Sequence, residues 1–193
     1  MRRRVWPKPV GRANLTLMTN RLPIDDPRYT AGLLAIASAG VLAAALFFQF
    51  VLGYQPCVLC LWQRVPYGAV MAFGIVTLLF RQWRGLGDAL LVASGLALLA
   101  GAGIAAYHVG VEQHWWAGTS ACGAGGGRAP QTLEELRAQV LAAPVTRCDE
   151  VAWSLFGISM AGYNVVISLA LSAFAFAAAR AAYIRTSVSR TFA

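Results

Sequence analysis

The sequence predicts an all-α membrane protein, a four-transmembrane-helix bundle with a long loop that carries a short amphipathic helix. Three observations predict it. Of 193 residues, 58% are hydrophobic and only 12% charged, with a mean hydropathy of +0.58, whereas a soluble domain carries about 25% charged residues. Four apolar windows, 31–53, 61–80, 89–109 and 154–179, each approach the ~20 residues with which a helix crosses a ~30 Å hydrocarbon core. Twelve of the sixteen basic residues lie before the first window, between the second and third, or after the fourth, which is one side of a membrane crossed four times. The formal net charge of +8 is therefore a topological signal and not a nucleic-acid surface, and the positive-inside bias makes both termini cytoplasmic. No internal repeat is evident and the connections are too short for a second domain. The organisation read is a basic tail over 1–29, one four-helix domain over 30–180 and a cytoplasmic tail over 181–193.

The basic tail carries Arg2, Arg3, Arg4, Lys8, Arg12, Arg21 and Arg28 among Pro7, Pro9, Pro23 and Pro27, a composition that predicts poor order. The first window is far longer than the ~7–15 apolar residues of a signal peptide, so it is read as a permanent helix. Between windows one and two stands "QPCVLCLWQR". Counting back from Phe80 starts the second span near Leu61, which places Cys57 and Cys60 at its outer, N-terminal end. The third span closes near His108 and Glu112. Over the long loop of about 110–152, "TSACGAGGGR" predicts a mobile, exposed stretch around Cys122. Thr132 and Glu135 have capping-box spacing, and Leu133, Leu136, Val140 and Leu141 share a face. That short helix lies on the membrane surface or packs on the bundle, and either placement brings Cys148 back toward the first pair. His114, followed by Trp115 and Trp116, reads as an interfacial anchor without chemistry.

All four cysteines lie on the side away from the cytoplasm, where thiols are oxidised and stay so; for a bacterial inner membrane that side is the periplasm. Four cysteines allow three pairings, of which the close pair plus the separated pair is the simplest. Cys122 and Cys148 read equally as a passive staple closing a long loop. Cys57 and Cys60 read differently, because a ring this small adds little stability and CxxC spacing lowers thiol pKa. A zinc site is disfavoured, since Cys122 and Cys148 are too far apart for ligand spacing, and no metal is expected. Unpaired N–H groups and the positive end of the helix dipole favour a thiolate at the start of the second span. Arg64, one turn beyond Cys60, adds a fixed charge there, although it also reads as an arginine snorkelling to lipid head groups. A thiolate at the lipid boundary calls for an electron acceptor that lives in lipid, which a quinone does. His108 is a candidate to hydrogen-bond that quinone, against a plain packing role.

"PCVLCLWQR", four spans, a second cysteine pair in the second outer loop and "CDEVAWSLFGISM" before the last span together closely resemble the disulfide bond formation protein B family of bacterial quinone reductases. The resemblance covers about 31–180 and leaves the basic extension unmatched. It implies a multi-pass inner-membrane enzyme with both termini cytoplasmic and redox loops periplasmic. Its quinone-side pair falls on Cys57 and Cys60, its quinone-associated arginine on Arg64 and its partner-side pair on Cys122 and Cys148; His108 matches only by approximate spacing. The implied cofactor is ubiquinone or menaquinone, and the implied partner a periplasmic thioredoxin-fold, DsbA-like oxidase. Its thiol attacks Cys122, Cys148 then attacks Cys57, and Cys60 leaves as the thiolate that faces the quinone. Where a family member carries an acidic residue before the arginine, this sequence has Gln63, to which no role is carried. A relation to vitamin K epoxide reductases fits poorly because the only CxxC precedes the second span. Few buried charges argue against a transporter or channel, and a non-catalytic scaffold leaves the CxxC unexplained.

Overall fold

The computed structural model describes residues 26–80, 82–119, 121–122, 132–142 and 146–191. Most of the basic tail and the glycine run after Cys122 lie outside these residues. Among the described residues, four helices are long and apolar enough to cross a membrane, over Pro27–Phe50, Val58–Leu79, Gly85–Glu112 and Met160–Ile184. The chain is a multi-pass helical membrane protein.

Helix α1 (Pro27–Phe50) begins where Asp26 accepts the N–H of Arg28 at 3.0 Å and proline, which needs no amide partner, takes the first helical position. Pro27 and Arg28, which the sequence reading put in the tail, thus start the first span. The second crossing is broken in two, α2 (Val58–Trp62) and α3 (Arg64–Leu79), with Gln63 at the joint. Pro66 accounts for the break: it offers no N–H to the carbonyl of Trp62, four residues earlier, and its ring crowds that carbonyl. Helix α4 (Arg84–Glu112) is unbroken.

After the short helix α5 (Leu133–Ala142) come two strands, β1 (Ser154–Leu155) and β2 (Ile158–Ser159), paired antiparallel with Ser154 opposite Ser159. Phe156 and Gly157, both at positive φ (50° and 78°), make the two-residue turn between them. This hairpin corrects the sequence reading, which began the fourth span at 154. The last helix, α6, runs Met160–Thr191. A run of apolar residues alone does not separate a hairpin from a helical turn; the Phe-Gly dipeptide was the available signal.

Small residues set the helix spacing, as expected where lipid leaves packing and interhelical hydrogen bonds as the driving forces. A Cβ at Gly74 would stand 2.7 Å from Ala35 Cβ and 2.9 Å from the Ala31 carbonyl, so α1 and α3 touch backbone to backbone. Likewise Gly95 of α4 seats the Phe176 ring of α6, and Ser172 donates to the Gly95 carbonyl at 2.9 Å. Leu34, Tyr67, Val70, Leu91, Leu98 and Ala175 form the core between these helices. Large apolar side chains such as Ile36, Phe50 and Leu79 face outward, toward lipid.

Candidate functional site

The site lies where the broken second crossing meets the outer end of α4. Cys57 is the N-cap of α2, and its Sγ accepts the N–H of Cys60 at 3.2 Å. The two sulfurs, both free thiols, are 2.9 Å apart. His108 of α4 reaches in from the other side, with Nε2 3.6 Å from Cys57 Sγ. Once Cys57 has lost its proton, the Cys60 thiol, His108 and the Cys60 amide all donate to it. Against the opposing effect of burial they lower its pKa to about 4.

The second cysteine pair packs onto the first. Cys122 and Cys148 are disulfide-bonded with Cα atoms 5.1 Å apart, an ordinary separation. They share one buried cluster with Cys57, Leu59 and Val111. Cys122 is 4% and Cys148 0% exposed, so the expected exposure of Cys122 is not what the fold provides. Gly118 is the reason in part: a Cβ there would stand 2.8 Å from Cys122 Cβ, so glycine lets the loop close over the bundle. Tyr107 and Trp116 pin the start of the same loop through stacked rings, with Trp116 Nε1 donating to the Tyr107 carbonyl at 3.0 Å and Tyr107 Oη to the Ala117 carbonyl at 2.9 Å. Thr146 Oγ1 donates to the Pro56 carbonyl at 3.3 Å, fastening the Cys148 end beside Cys57. Arg147, forked onto Asp149 at 2.9 and 2.6 Å, holds that exposed carboxyl at about 2, below its usual range.

Two cavities meet at the thiols. One, about 320 Å³, is almost wholly apolar and opens between α1, α3 and α6. Phe48, Cys60, Tyr67, Trp153, Met160 and Asn164 are among its walls, and Gln63 and His108 add polar atoms. The other, about 160 Å³, is more polar and is bounded by Cys57, Cys60, His108, Glu112, Arg147 and Glu150. Glu112 is buried, 4.0 Å from His108 Nε2, and accepts a hydrogen bond from Ser159 of β2. Arg64 opens α3 and donates from Nη1 to Gln49 of α1 at 2.7 Å. It thereby bridges the two helices beside Phe48.

Of the residues singled out from the sequence, the fold gathers Cys57, Cys60, Cys122, Cys148 and His108 in one place, whereas Arg64 is not among the residues lining either cavity and is held by Gln49 of α1. Sequence reasoning missed Gln63, Tyr67 and Asn164. The available signal was their polarity within apolar, membrane-spanning runs, where such groups are costly unless paired. The N-cap bond of the box expected at Thr132 is formed, with the Glu135 N–H on Thr132 Oγ1 at 3.1 Å.

A family model described as "Disulfide bond formation protein DsbB" matches residues 27–178. The chain is 31% identical over 140 residues to disulfide bond formation protein B of Xanthomonas axonopodis pv. citri, covering 70% of this chain and 81% of that one. It is 30% identical over 168 residues to the protein of the same name from Methylobacillus flagellatus, covering 82% and 95%. An uncharacterized protein of Rickettsia prowazekii is 25% identical over 162 residues, covering 83% and 92%.

Proposed function

The chain belongs to the family of disulfide bond formation protein DsbB, and on that premise we propose that it reoxidises a periplasmic thioredoxin-fold, DsbA-like oxidase and passes the electrons to a membrane quinone. One observation carries this reading: Cys57 packs against the Cys122–Cys148 disulfide while its neighbour Cys60 lines an apolar cavity between the spans. A thiol pair so placed can receive electrons from an aqueous loop and hand them to an acceptor that arrives through lipid.

The exchange balances as follows. A partner thiolate attacks Cys122, Cys148 leaves as a thiolate, and the partner's second thiol completes its own disulfide, leaving Cys122 and Cys148 reduced. Cys148 attacks Cys57 in the Cys57–Cys60 disulfide and Cys60 leaves. Cys122 then attacks Cys148, which restores the loop disulfide and frees Cys57. The net result is two electrons and two protons on Cys57 and Cys60. A bound ubiquinone or menaquinone supplies a two-electron, two-proton acceptor. The residues fit such a ring: the apolar walls exclude water, and the volume is at the lower end of the ~300–1,000 Å³ usual for ligand sites. Asn164 keeps a second Nδ2–H suited to a carbonyl oxygen, and Arg64 supplies positive charge near Phe48. The thiolate state of Cys57 readies it to close the disulfide again.

The same reading sets the chain in a bacterial inner membrane with its termini cytoplasmic and its cysteines periplasmic. Helix α5 lies on the outer leaflet, which its exposed Leu133 and Leu141 support. The test is thiol oxidation by the purified chain in lipid nanodiscs. A reduced thioredoxin-fold oxidase should be oxidised only when quinone is added, with one quinone consumed per disulfide made. Oxidation at the same rate without quinone would refute the reading.

A further inference from the structure

Between the thiols and the middle of the bundle runs a chain of hydrogen bonds that none of the exchange steps uses. Asn164 Nδ2 of α6 donates to Gln63 Oε1 at 2.5 Å. Gln63 Nε2 lies 2.8 Å from His108 Nδ1, and His108 Nε2 lies 3.6 Å from Cys57 Sγ. At the far end, two hydroxyls converge on Asn164 Oδ1, Tyr67 at 2.5 Å and Ser168 at 3.4 Å, while Tyr67 and Ser168 are 2.7 Å from each other. Gln63, His108, Tyr67 and Ser168 are all buried.

Each amide has one donating and one accepting end, so the orientation of one dictates the next. Hydroxyls donating to Asn164 Oδ1 turn its Nδ2 toward Gln63, which places Gln63 Oε1 there and Nε2 against the ring. A nitrogen facing an N–H donor must be bare. A neutral imidazole holds one proton, which then sits on Nε2 and points at Cys57. We propose that Gln63 is a positioning residue that holds His108 as the neutral tautomer protonated on Nε2, and that Asn164 and Tyr67 hold Gln63 in the orientation this needs.

The inference rests on the proposed function only in taking Cys57 and Cys60 as the reacting pair. Its chemical effect is specific. The ring donates to the Cys57 thiolate as a neutral group, and the remaining charged groups around it are Glu112 from its own helix and Arg147 and Glu150 across the 160 Å³ cavity. An acidic residue in place of Gln63 would accept at Nδ1 instead and draw a proton there.

The test is nitrogen-15 NMR of the ring-labelled full chain near neutral pH. The sequence has two histidines, so His114→Gln leaves His108 alone in the spectrum. The expected parent spectrum has a proton on Nε2 and a bare Nδ1. Gln63→Glu should move the proton to Nδ1. Asn164→Asp should do the same without touching the ring, because a carboxylate at 164 can only accept and turns the Gln63 amide end for end. A simple packing role would not transmit that switch. A protonated Nδ1 in the parent, or a ring unchanged by Gln63→Glu, would overturn the proposal. Quinone-dependent thiol oxidation is measured on the same samples: its absence from the parent overturns the functional reading, whereas the ring spectrum decides the tautomer by itself.

Discussion

At the scale of single residues, the thiols divide the labour, and each can be tested alone. With its pKa lowered to about 4, Cys57 of the reduced chain is a thiolate throughout the neutral range and takes up a proton only as pH falls through that value. Its alkylation, read by peptide mapping, should therefore be nearly independent of pH between about 5 and 8 and should collapse below about 4, whereas an unperturbed thiol would lose reactivity about tenfold per unit below ~8.5. A reduced partner whose second thiol has been removed should accumulate a mixed disulfide with Cys122, because the thiol that completes the partner's own disulfide is missing; the adduct forming on Cys148 instead would interchange the two roles. Arg64→Met should leave partner exchange at Cys122 intact and slow quinone reduction at least about tenfold, equivalent to ~1.4 kcal/mol. Equal rates in the two proteins would reduce Arg64 to a tie from α3 to Gln49 of α1.

At the scale of elements, the decisive features are a break and a close approach. Pro66 interrupts the second crossing and turns Gln63 inward, and Gly74 lets α1 lie against α3 so that the cavity has a wall. Gly74→Val should force those helices apart and cost about 1–3 kcal/mol, read as a lower thermal midpoint in detergent together with weaker quinone binding. These elements also show what the sequence could reveal. Span number and the helix after Thr132 were legible because apolar length and capping spacing are local signals. The cysteine pairs were legible because topology puts them on one side. Phe156–Gly157 turned six residues of an apparent span into a hairpin, since hydropathy does not record backbone handedness. Gln63, Tyr67 and Asn164 became a site only through contacts between residues as far as 101 positions apart, a separation at which no local pattern survives.

At the scale of the whole molecule, the proposed orientation, with both termini cytoplasmic, can be read directly. Reporter cysteines placed near Arg84 should stay protected from an impermeant maleimide added outside intact cells, and reporters placed near Trp115 should react; the opposite pattern would reverse the topology and remove the thiols from the oxidising side. The orientation gives a particular meaning to the burial of Cys148, at 0% exposure, and of Cys122, at 4%. A conductor that joins a thiol pool to a respiratory quinone would leak current to every small reductant able to touch it. Here the terminal is sheathed. Gly118 packs on the Cys122 Cβ and the Thr119 hydroxyl donates to Cys122 Sγ at 3.3 Å, and on the proposed function a folded partner would have to draw that contact out. If the proposed function holds, the sheath would act as insulation on a wire, and the partner as the plug that fits it.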